Sequence, residues 1–272
     1  MANEFALATE EFMEDLAAIR SLVVAFDDPL KGTPKTRVAA ANSATLLLAA
    51  TFEEYVREMA LTCAKLVIQS ATRFEDLPRN IAPTAWRRTL ATLTRIDVSA
   101  GNPNGSSDAE LALALTRFNA VHQFCNGDLS QDIYADLIHN ENNMRPNEIN
   151  ALFKLSNVTD ICSKISDKAP LIDNFGESEQ GKTHGKLLKY LNEFFERRNE
   201  IAHSLRLVRS SGPAQILHDV DVFDAIGRSL AETMNNIMPQ VVPRTPAPEA
   251  KPQSSWWSSW TSPGRWTKRD HH

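Results

Sequence analysis

The chain has 272 residues, of which 42% are hydrophobic and 23% are charged, and its formal net charge is −5. This composition is ordinary for a soluble globular protein, and the excess of acid argues against a general nucleic-acid coat of the histone-like kind. No apolar run approaches the roughly 18 residues that a membrane-spanning helix needs, and the acidic start of the chain does not resemble a secretory signal.

Two amphipathic helices are predicted in the first part of the chain. Residues 5–26 place apolar side chains at spacings of three, four and seven residues, as one face of a helix does. Thr33 followed by Pro34 is typical of an N-cap with proline at the first helical position. From there a helix rich in alanine and leucine is expected to run to about Ser70, because no glycine or proline interrupts it.

Two shorter helices are predicted next. The third helix begins after Pro83 and contains Trp86. Residues 101–107 are rich in Gly, Asn and Ser, so they are expected to form a loop. Asp108 can then cap a fourth helix that runs to about Cys125.

The second half of the chain is less regular at first. Residues 126–184 carry short helical patterns between Asn-rich, Pro and Gly breaks, and we interpret them as an irregular helical insertion. The patterns cover Leu129–Ile138, Glu148–Leu155 and Val158–Ile165. A clear amphipathic helix is predicted after Gly185, followed by a turn at 210–213 and a last helix over 219–238. Because alternating β-branched runs are almost absent, the sequence predicts an all-α domain over residues 1–242.

Residues 243–272 differ in composition from the rest of the chain. They hold five of the 14 prolines, four of the five tryptophans, and five basic against two acidic residues. Proline and serine predict a flexible, disordered tail, whereas the tryptophans favour a docking segment for a protein groove, a membrane interface or stacked bases. The alternative is that this tail has no binding function.

The cysteines and most histidines give no sign of a metal site. Cys63, Cys125 and Cys162 are odd in number, and their spacing suits neither a disulfide framework nor a zinc cluster. We interpret them as buried thiols of a protein in the reducing cytoplasm. Four histidines have no partners at metal-ligand spacing, so neither a metal nor a cofactor is predicted: His122, His139, His184 and His218.

The segment from Arg198 to His203 has the pattern Arg-Asn-x3-His. The bare Arg-x4-His spacing is expected about once by chance in such a chain, and Arg117 with His122 is a second instance. The first pattern lies near the end of a long helix, and residues 182–209 around it contain seven Lys or Arg and three Glu. The second is predicted to lie mid-helix, where a structural histidine is expected.

The residue types of the first pattern suit phosphate chemistry. Asn199 and His203 are four residues apart and share one helix face, and the long side chain of Arg198 can reach toward them. A histidine can take or give a proton near neutral pH, while an arginine stays charged and can hold phosphate oxygens. The alternative is that Arg197 and Arg198, beside Glu196, form only a solvated, salt-bridged helix face.

An Arg-Asn-x3-His pattern at a helix end in an all-α protein resembles the HEPN ribonuclease superfamily, the higher-eukaryote and prokaryote nucleotide-binding domain. The segment Phe52-Glu53-Glu54-Tyr55 resembles an aromatic-acid-x-aromatic pattern on an N-terminal helix in its RiboL-PSP and MAE-type groups. The resemblance covers about residues 5–240 and implies a HEPN-like helical bundle.

The resemblance also implies an activity. It predicts a metal-independent endoribonuclease, a homodimer in which motifs from both subunits meet at one cleft, and a toxin or phage-defence (abortive infection) role. RNA would be cut by attack of its own 2′-OH, leaving a 2′,3′-cyclic phosphate. His203 would transfer protons, Arg198 would hold the phosphate, and Asn199 would orient His203 or bind a phosphate oxygen. Glu53 would orient Arg198.

The predicted RNA contacts are basic residues near this pattern, namely Arg197, Arg206 and Lys189. Two other interpretations remain open. Glu53 and Glu54 can equally pair with Arg57 one turn on. The whole protein can instead be a non-catalytic HEPN-like module that binds nucleotide, RNA or a protein, or a helical scaffold that docks through its Trp-rich tail.

Overall fold

The computed structural model describes residues 4–27, 32–96, 108–138, 143–177, 179–203 and 211–238. Within these ranges the chain forms nine α-helices, two 3₁₀ helices and no strand, so the all-α prediction is confirmed. The α-helices are α1 (Glu4–Asp27), α2 (Pro34–Ser70), α3 (Ile81–Leu93), α4 (Asp108–Cys125), α5 (Pro146–Lys154), α6 (Ile161–Ile165), α7 (Ala169–Phe175), α8 (Gln180–His203) and α9 (Pro213–Ile237). The 3₁₀ helices cover Phe74–Asp76 and Tyr134–Asp136.

The helices α1 and α2 lie close to their predicted limits. Thr33 Oγ1 accepts a 3.2 Å hydrogen bond from a backbone N–H of the first turn, and Pro34 follows, so the predicted N-cap is present. Against α2, the rings of Phe12 and Tyr55 stack with their centroids 4.2 Å apart. The helix α9 approaches so closely that a Cβ at Gly227 would lie 2.8 Å from the Phe12 ring, which explains the glycine.

Four buried phenylalanines join α2, α8 and α9 at the centre of the main core. The ring of Phe52 lies 4.4 Å from that of Phe223 and 6.3 Å from that of Phe195, measured between centroids. Phe194 meets Phe223 at 4.7 Å and 80°, an edge-to-face arrangement that aromatic rings prefer. This packing determines where the last turns of α8 lie.

The middle of the chain packs into the same core. The helices α5, α6 and α7 contribute the buried side chains of Phe153, Ile161 and Leu171. The helices α5 and α6 lie within a few residues of the predicted helical patterns, whereas no helix was predicted at the position of α7. Part of the interpreted insertion is therefore core material that supports α8 and α9.

The helix predicted over Leu129–Ile138 is wrong, because only a 3₁₀ turn forms there. Local hydrogen bonds explain the difference. The carboxylate of Asp128 accepts a 3.1 Å hydrogen bond from the backbone N–H of Ser130, and Asp132 does the same for Tyr134. Such side-chain bonds to the backbone compete with the helical pattern.

The helices α3 and α4 belong to a second, smaller core cluster. The helix α3 begins at Ile81, before Pro83, because a proline in the first turn removes an N–H that has no partner within the helix. The helix α4 has the predicted limits. The rings of Trp86 and Phe118 lie 5.4 Å apart and join the two helices.

The last two helices are longer than predicted. The helix α8 begins at Gln180, ahead of Gly185, and the buried hydroxyl of Thr183 donates to the carbonyl of Glu179 at 3.3 Å in its first turn. The helix α9 begins at Pro213, with the proline again at the first position.

The three thiols differ in burial. Cys63 and Cys162 are buried and Cys125 is half-buried. Burial raises the pKa of the Cys63 thiol to about 11 and that of Cys162 to about 12. Both stay protonated at neutral pH, which is the state of inert core cysteines.

Several predictions fall outside the described residues. They concern the loop at 101–107, the first residue of the turn at 210–213, Arg206 and the tail at 243–272. In the part of the chain that the structure does describe, no helix is long and apolar enough to span a membrane.

Candidate active site

The last two turns of α8 contain the Arg-Asn-x3-His pattern, at the helix end where the sequence predicted it. Phe194 and Phe195 bury the preceding turn in the core. Arg198 and Asn199 are half-buried, and His203 is the exposed last residue of the helix. Because Asn199 and His203 are four residues apart, both lie on one face of α8.

Asn199 is held by two donors. Nδ2 of Asn143 donates to its Oδ1 at 2.9 Å, and Nη1 of Arg198 donates to the same oxygen at 3.3 Å. Its own Nδ2 has no hydrogen-bond partner among the described residues. The amide therefore presents an N–H donor to a molecule that binds at this face.

Glu53 of α2 is the acidic neighbour of Arg198. It is only 8% exposed, and burial raises its pKa, while the charges of Arg198 and Arg57 act in the opposite direction. Arg57 also pairs within its helix, with Glu53 at 3.4 Å and with Glu54 at 3.1 Å. Glu53 is thus ion-paired with Arg57 in its own helix, whereas its interaction with Arg198 is electrostatic and involves no hydrogen bond or ion pair among the described residues.

Arg198 keeps one buried donor without a partner. Its Nε is inaccessible to solvent and forms no hydrogen bond to any described residue. Buried polar atoms are nearly always hydrogen-bonded in proteins, and an unpaired one is explained by strain, by a catalytic role or by a bound water or ion. The Nε of Arg197 is likewise buried and unpartnered, so this feature does not by itself distinguish Arg198 as a ligand-binding residue.

Arg197 faces a different neighbourhood. Its Nη2 donates to both carboxylate oxygens of Asp219 at 2.9 Å, and Asp219 is fully buried. The same carboxylate accepts hydrogen bonds from Tyr190 at 2.7 Å and Gln215 at 3.0 Å. Arg197 therefore compensates an internal charge and ties α8 to α9, and the geometry does not favour the RNA contact predicted for it.

The other predicted RNA contacts are placed only in part. Lys189 is exposed on α8, where its Nζ lies 3.8 Å from a carboxylate oxygen of Glu193. Arg206 lies outside the described residues. Between α5 and α8, Arg145 pairs with Glu196 at 3.6 Å, one turn from Asn199.

The second Arg-x4-His pattern also lies at a helix end. His122 is exposed in the last turn of α4, so the prediction that this pattern lies mid-helix is wrong. Its ring contacts those of Trp86 and Phe118, with centroids 6.4 and 6.3 Å away. Arg117 is followed by Phe118 where Arg198 is followed by Asn199. What separates the two patterns is the residues around them and not their place in a helix.

A cavity of about 530 Å³ lies beside the first turns of α8. It is lined by Asn147 and Asn150 from α5 and by His184 and Asn192 from α8, among others. Asn192 precedes Asn199 by two helical turns, so the two amides share one face. The lining also includes Arg145 and two acids, Glu148 and Asp160.

The donor set indicates what kind of ligand fits. A guanidinium and an amide N–H are both hydrogen-bond donors. In proteins such groups commonly donate hydrogen bonds to phosphate oxygens, and a guanidinium can donate two at once. Among the described residues, no group of three His, Cys, Asp or Glu side chains is arranged to hold a metal ion.

Asn143 was not predicted as a site residue. It comes at the end of an Asn-rich stretch that we interpreted only as a break between helices. The cluster of asparagines was the one available signal, since loops positioned by a helical scaffold often supply binding residues.

A family model described as RiboL-PSP-HEPN matches residues 14–236 of the chain. The match includes Glu53 and the pattern from Arg198 to His203. No curated protein and no solved structure matches the chain significantly.

Proposed function

The chain belongs to the RiboL-PSP-HEPN family, and from this premise we propose that it is an endoribonuclease of the HEPN type that cleaves RNA without a metal ion. One observation favours cleavage over mere structure. Arg198 and Asn199 lie together at the end of α8 with the Nδ2 of Asn199 unpartnered among the described residues, an exposed histidine follows on the face of Asn199, and the buried carboxylate of Glu53 is close enough to interact electrostatically with Arg198.

The reaction needs no nucleophile from the protein. The ribose 2′-oxygen forms a bond to the adjacent phosphorus while the bond from phosphorus to the 5′-oxygen of the next nucleotide breaks. A base removes the 2′-hydroxyl proton, and an acid donates a proton to the leaving 5′-oxygen. The products are a 2′,3′-cyclic phosphate and a 5′-hydroxyl, so the protein supplies only proton transfer and charge stabilisation.

Each group has a role that its chemistry allows. His203 transfers the protons, since imidazole changes charge near neutral pH. Arg198 and the Nδ2 of Asn199 donate to the non-bridging phosphate oxygens as negative charge builds there. Glu53 is a positioning residue, because it acts on Arg198 and does not reach the RNA itself.

We propose that the active form is a homodimer in which two α8 ends face one cleft. In-line displacement puts the attacking and leaving oxygens on opposite sides of phosphorus. One imidazole cannot sit on both sides at once, whereas two copies of His203 can serve as base and acid. Lys189 and Arg206 would hold the RNA backbone outside the reacting atoms.

The cellular role that follows is a cytoplasmic toxin or phage-defence effector that cuts host or phage RNA. The competing proposal is a HEPN module that binds RNA, nucleotide or a partner protein without cutting it. A cleavage assay separates these two roles, because only the first leaves new RNA ends.

The test incubates purified protein with total RNA in the presence of a chelator. We expect fragments with 2′,3′-cyclic phosphate and 5′-hydroxyl ends, which ligation and phosphatase treatments distinguish from other ends. His203→Ala should reduce their yield by at least about a hundredfold. Equal inactivity of the wild type and His203→Ala, in a protein shown to bind RNA, would establish the non-catalytic module instead.

A further inference from the structure

A second cleft lies between α3 and α5, away from the cavity beside α8. It has a volume of about 440 Å³. Its polar lining comes from Asn80, Thr84, Arg87 and Arg88 on or beside α3, and from Lys154 at the end of α5. The rest of the lining is aliphatic, and no carboxylate belongs to it. We call it the α3–α5 cleft.

The cations at its rim are not neutralised by the protein. Arg87 and Lys154 are exposed, and neither forms an ion pair with a described residue. Arg88 is half-buried and donates to the carbonyl of Leu137. Burial and the neighbouring charge of Arg87 lower the pKa of Arg88, and the carboxylate of Asp136 offsets this only in part.

The sequence around α3 adds to this charge. Residues 77–96 contain four arginines and no acid, and two of these arginines, Arg87 and Arg88, line the cleft. Because Asp136 offsets the repulsion between Arg87 and Arg88 only in part, the two like charges still cost free energy, and a bound anion relieves that cost. The concentration of positive charge therefore indicates an anionic ligand.

We propose that the α3–α5 cleft binds phosphate groups of the RNA substrate and anchors the strand away from the cleavage centre, an inference that rests on the proposed ribonuclease function. The helix α5 borders both concave sites, since Asn147 lines the cavity beside α8 and Lys154 lines the α3–α5 cleft. Nine residues of α-helix span about 14 Å, a distance that a few nucleotides bridge. The cleft has no aromatic lining to stack a base, whereas backbone phosphates need only its cations and hydrogen-bond donors.

The test measures RNA binding by fluorescence anisotropy in the His203→Ala background, so that cleavage does not interfere. The double variant Arg87→Glu, Lys154→Glu should weaken binding of a labelled single-stranded RNA by about tenfold or more and reduce the salt slope by about 1.4. Arg79→Glu, Arg95→Glu is the matched control, because both arginines are exposed in the same acid-free stretch and do not line the cleft. The control should change affinity by less than about threefold.

Other arms identify the source of the phosphate. Inorganic phosphate and ATP are titrated against the bound RNA, and ATP binding to each variant is measured directly. Equal losses in cleft and control variants overturn the proposal. The proposal is also overturned if the cleft substitutions weaken ATP binding but leave the affinity for RNA unchanged. Thermal unfolding of both double variants checks folding, and Arg87→Gln, Lys154→Gln is the milder second variant.

Failure of this inference differs from failure of the proposed function. If the cleft variants lose RNA binding but the wild type cuts no RNA, the anchor stands and the nuclease proposal fails. If the wild type cuts RNA and the cleft variants bind RNA normally, the nuclease proposal stands and the anchor fails.

Discussion

Asn143 and Asn199 are joined by a 2.9 Å hydrogen bond from Nδ2 of the first to Oδ1 of the second. The bond connects the segment before α5 to the last turns of α8, and it determines which end of the Asn199 amide is free. With Oδ1 occupied by Asn143 and Arg198, Asn199 can act only as a donor toward a ligand.

Asn143→Ala should lower kcat of RNA cleavage about ten- to hundredfold and change KM little. The variant removes the shorter of the two hydrogen bonds to Oδ1 of Asn199 and leaves only the bond from Arg198, so the amide N–H is less firmly aimed. Misplacement of a positioning group costs rate in this range. Steady-state cleavage of a short labelled RNA measures both constants. Asn119→Ala, an exposed amide on α4, is the control, and a loss confined to KM would argue against the positioning role.

His203→Ala and His122→Ala form a matched pair, since each removes the histidine of an Arg-x4-His pattern at a helix end. We expect His203→Ala to reduce the cleavage rate by about 10²- to 10⁴-fold, the usual contribution of a general acid or base. His122→Ala should leave the rate within about twofold, because surface changes away from a site have small effects. Equal losses from both variants would contradict the assignment of His203.

Glu53→Gln should become more stable relative to the wild type as pH rises. Burial raises the pKa of Glu53 above the unfolded value of 4.5, so the folded state favours the protonated carboxyl. The stability that this protonated form contributes is present below pH 4.5 and is lost as pH rises through the raised pKa. Glutamine does not titrate and therefore escapes that loss.

Urea unfolding at a series of pH values gives the two free energies of unfolding. The difference between Glu53→Gln and wild type should increase above about pH 4.5 and then level off. Glu54→Gln is the control, because that side chain is 75% exposed. A difference that stays constant with pH would show that burial does not raise the pKa of Glu53.

Asp219→Ala should destabilise the protein by about 2–4 kcal/mol. The variant leaves the guanidinium of Arg197 without its ion-pair partner, and only 32% of the Arg197 side chain is exposed to solvent. Asp224→Ala, on the same helix, breaks the surface pair with Arg228 and should cost under about 0.5 kcal/mol. Thermal or urea unfolding compares the two variants. Equal costs would mean that the pair of Arg197 and Asp219 is no more important than a surface ion pair.

Most helices were predictable because their signals are local. The cap at Thr33, the apolar stripes and the proline positions act within a few residues of each helix end, so sequence spacing reports them directly. The helix predicted over Leu129–Ile138 failed for an equally local reason, since the hydrogen bonds of Asp128 and Asp132 to the backbone compete with helix formation.

The site was predictable only in part. Spacing on one helix places Asn199 and His203 on a common face, and the sequence alone indicated this pattern and the family it resembles. The neighbours of these residues come from elsewhere in the chain: Glu53 from α2 and Asn143 from the segment before α5.

The sequence by itself thus determined the all-α class, the limits of α1, α2 and α4, and the motif at the end of α8. Only the tertiary structure decided that Arg197 faces inward to Asp219 while the adjacent Arg198 faces Glu53 and Asn199. Consecutive residues on a helix point about 100° apart, so which arginine meets a buried carboxylate depends on how the helices pack. That packing follows from contacts between residues far apart in the chain, which no local spacing encodes.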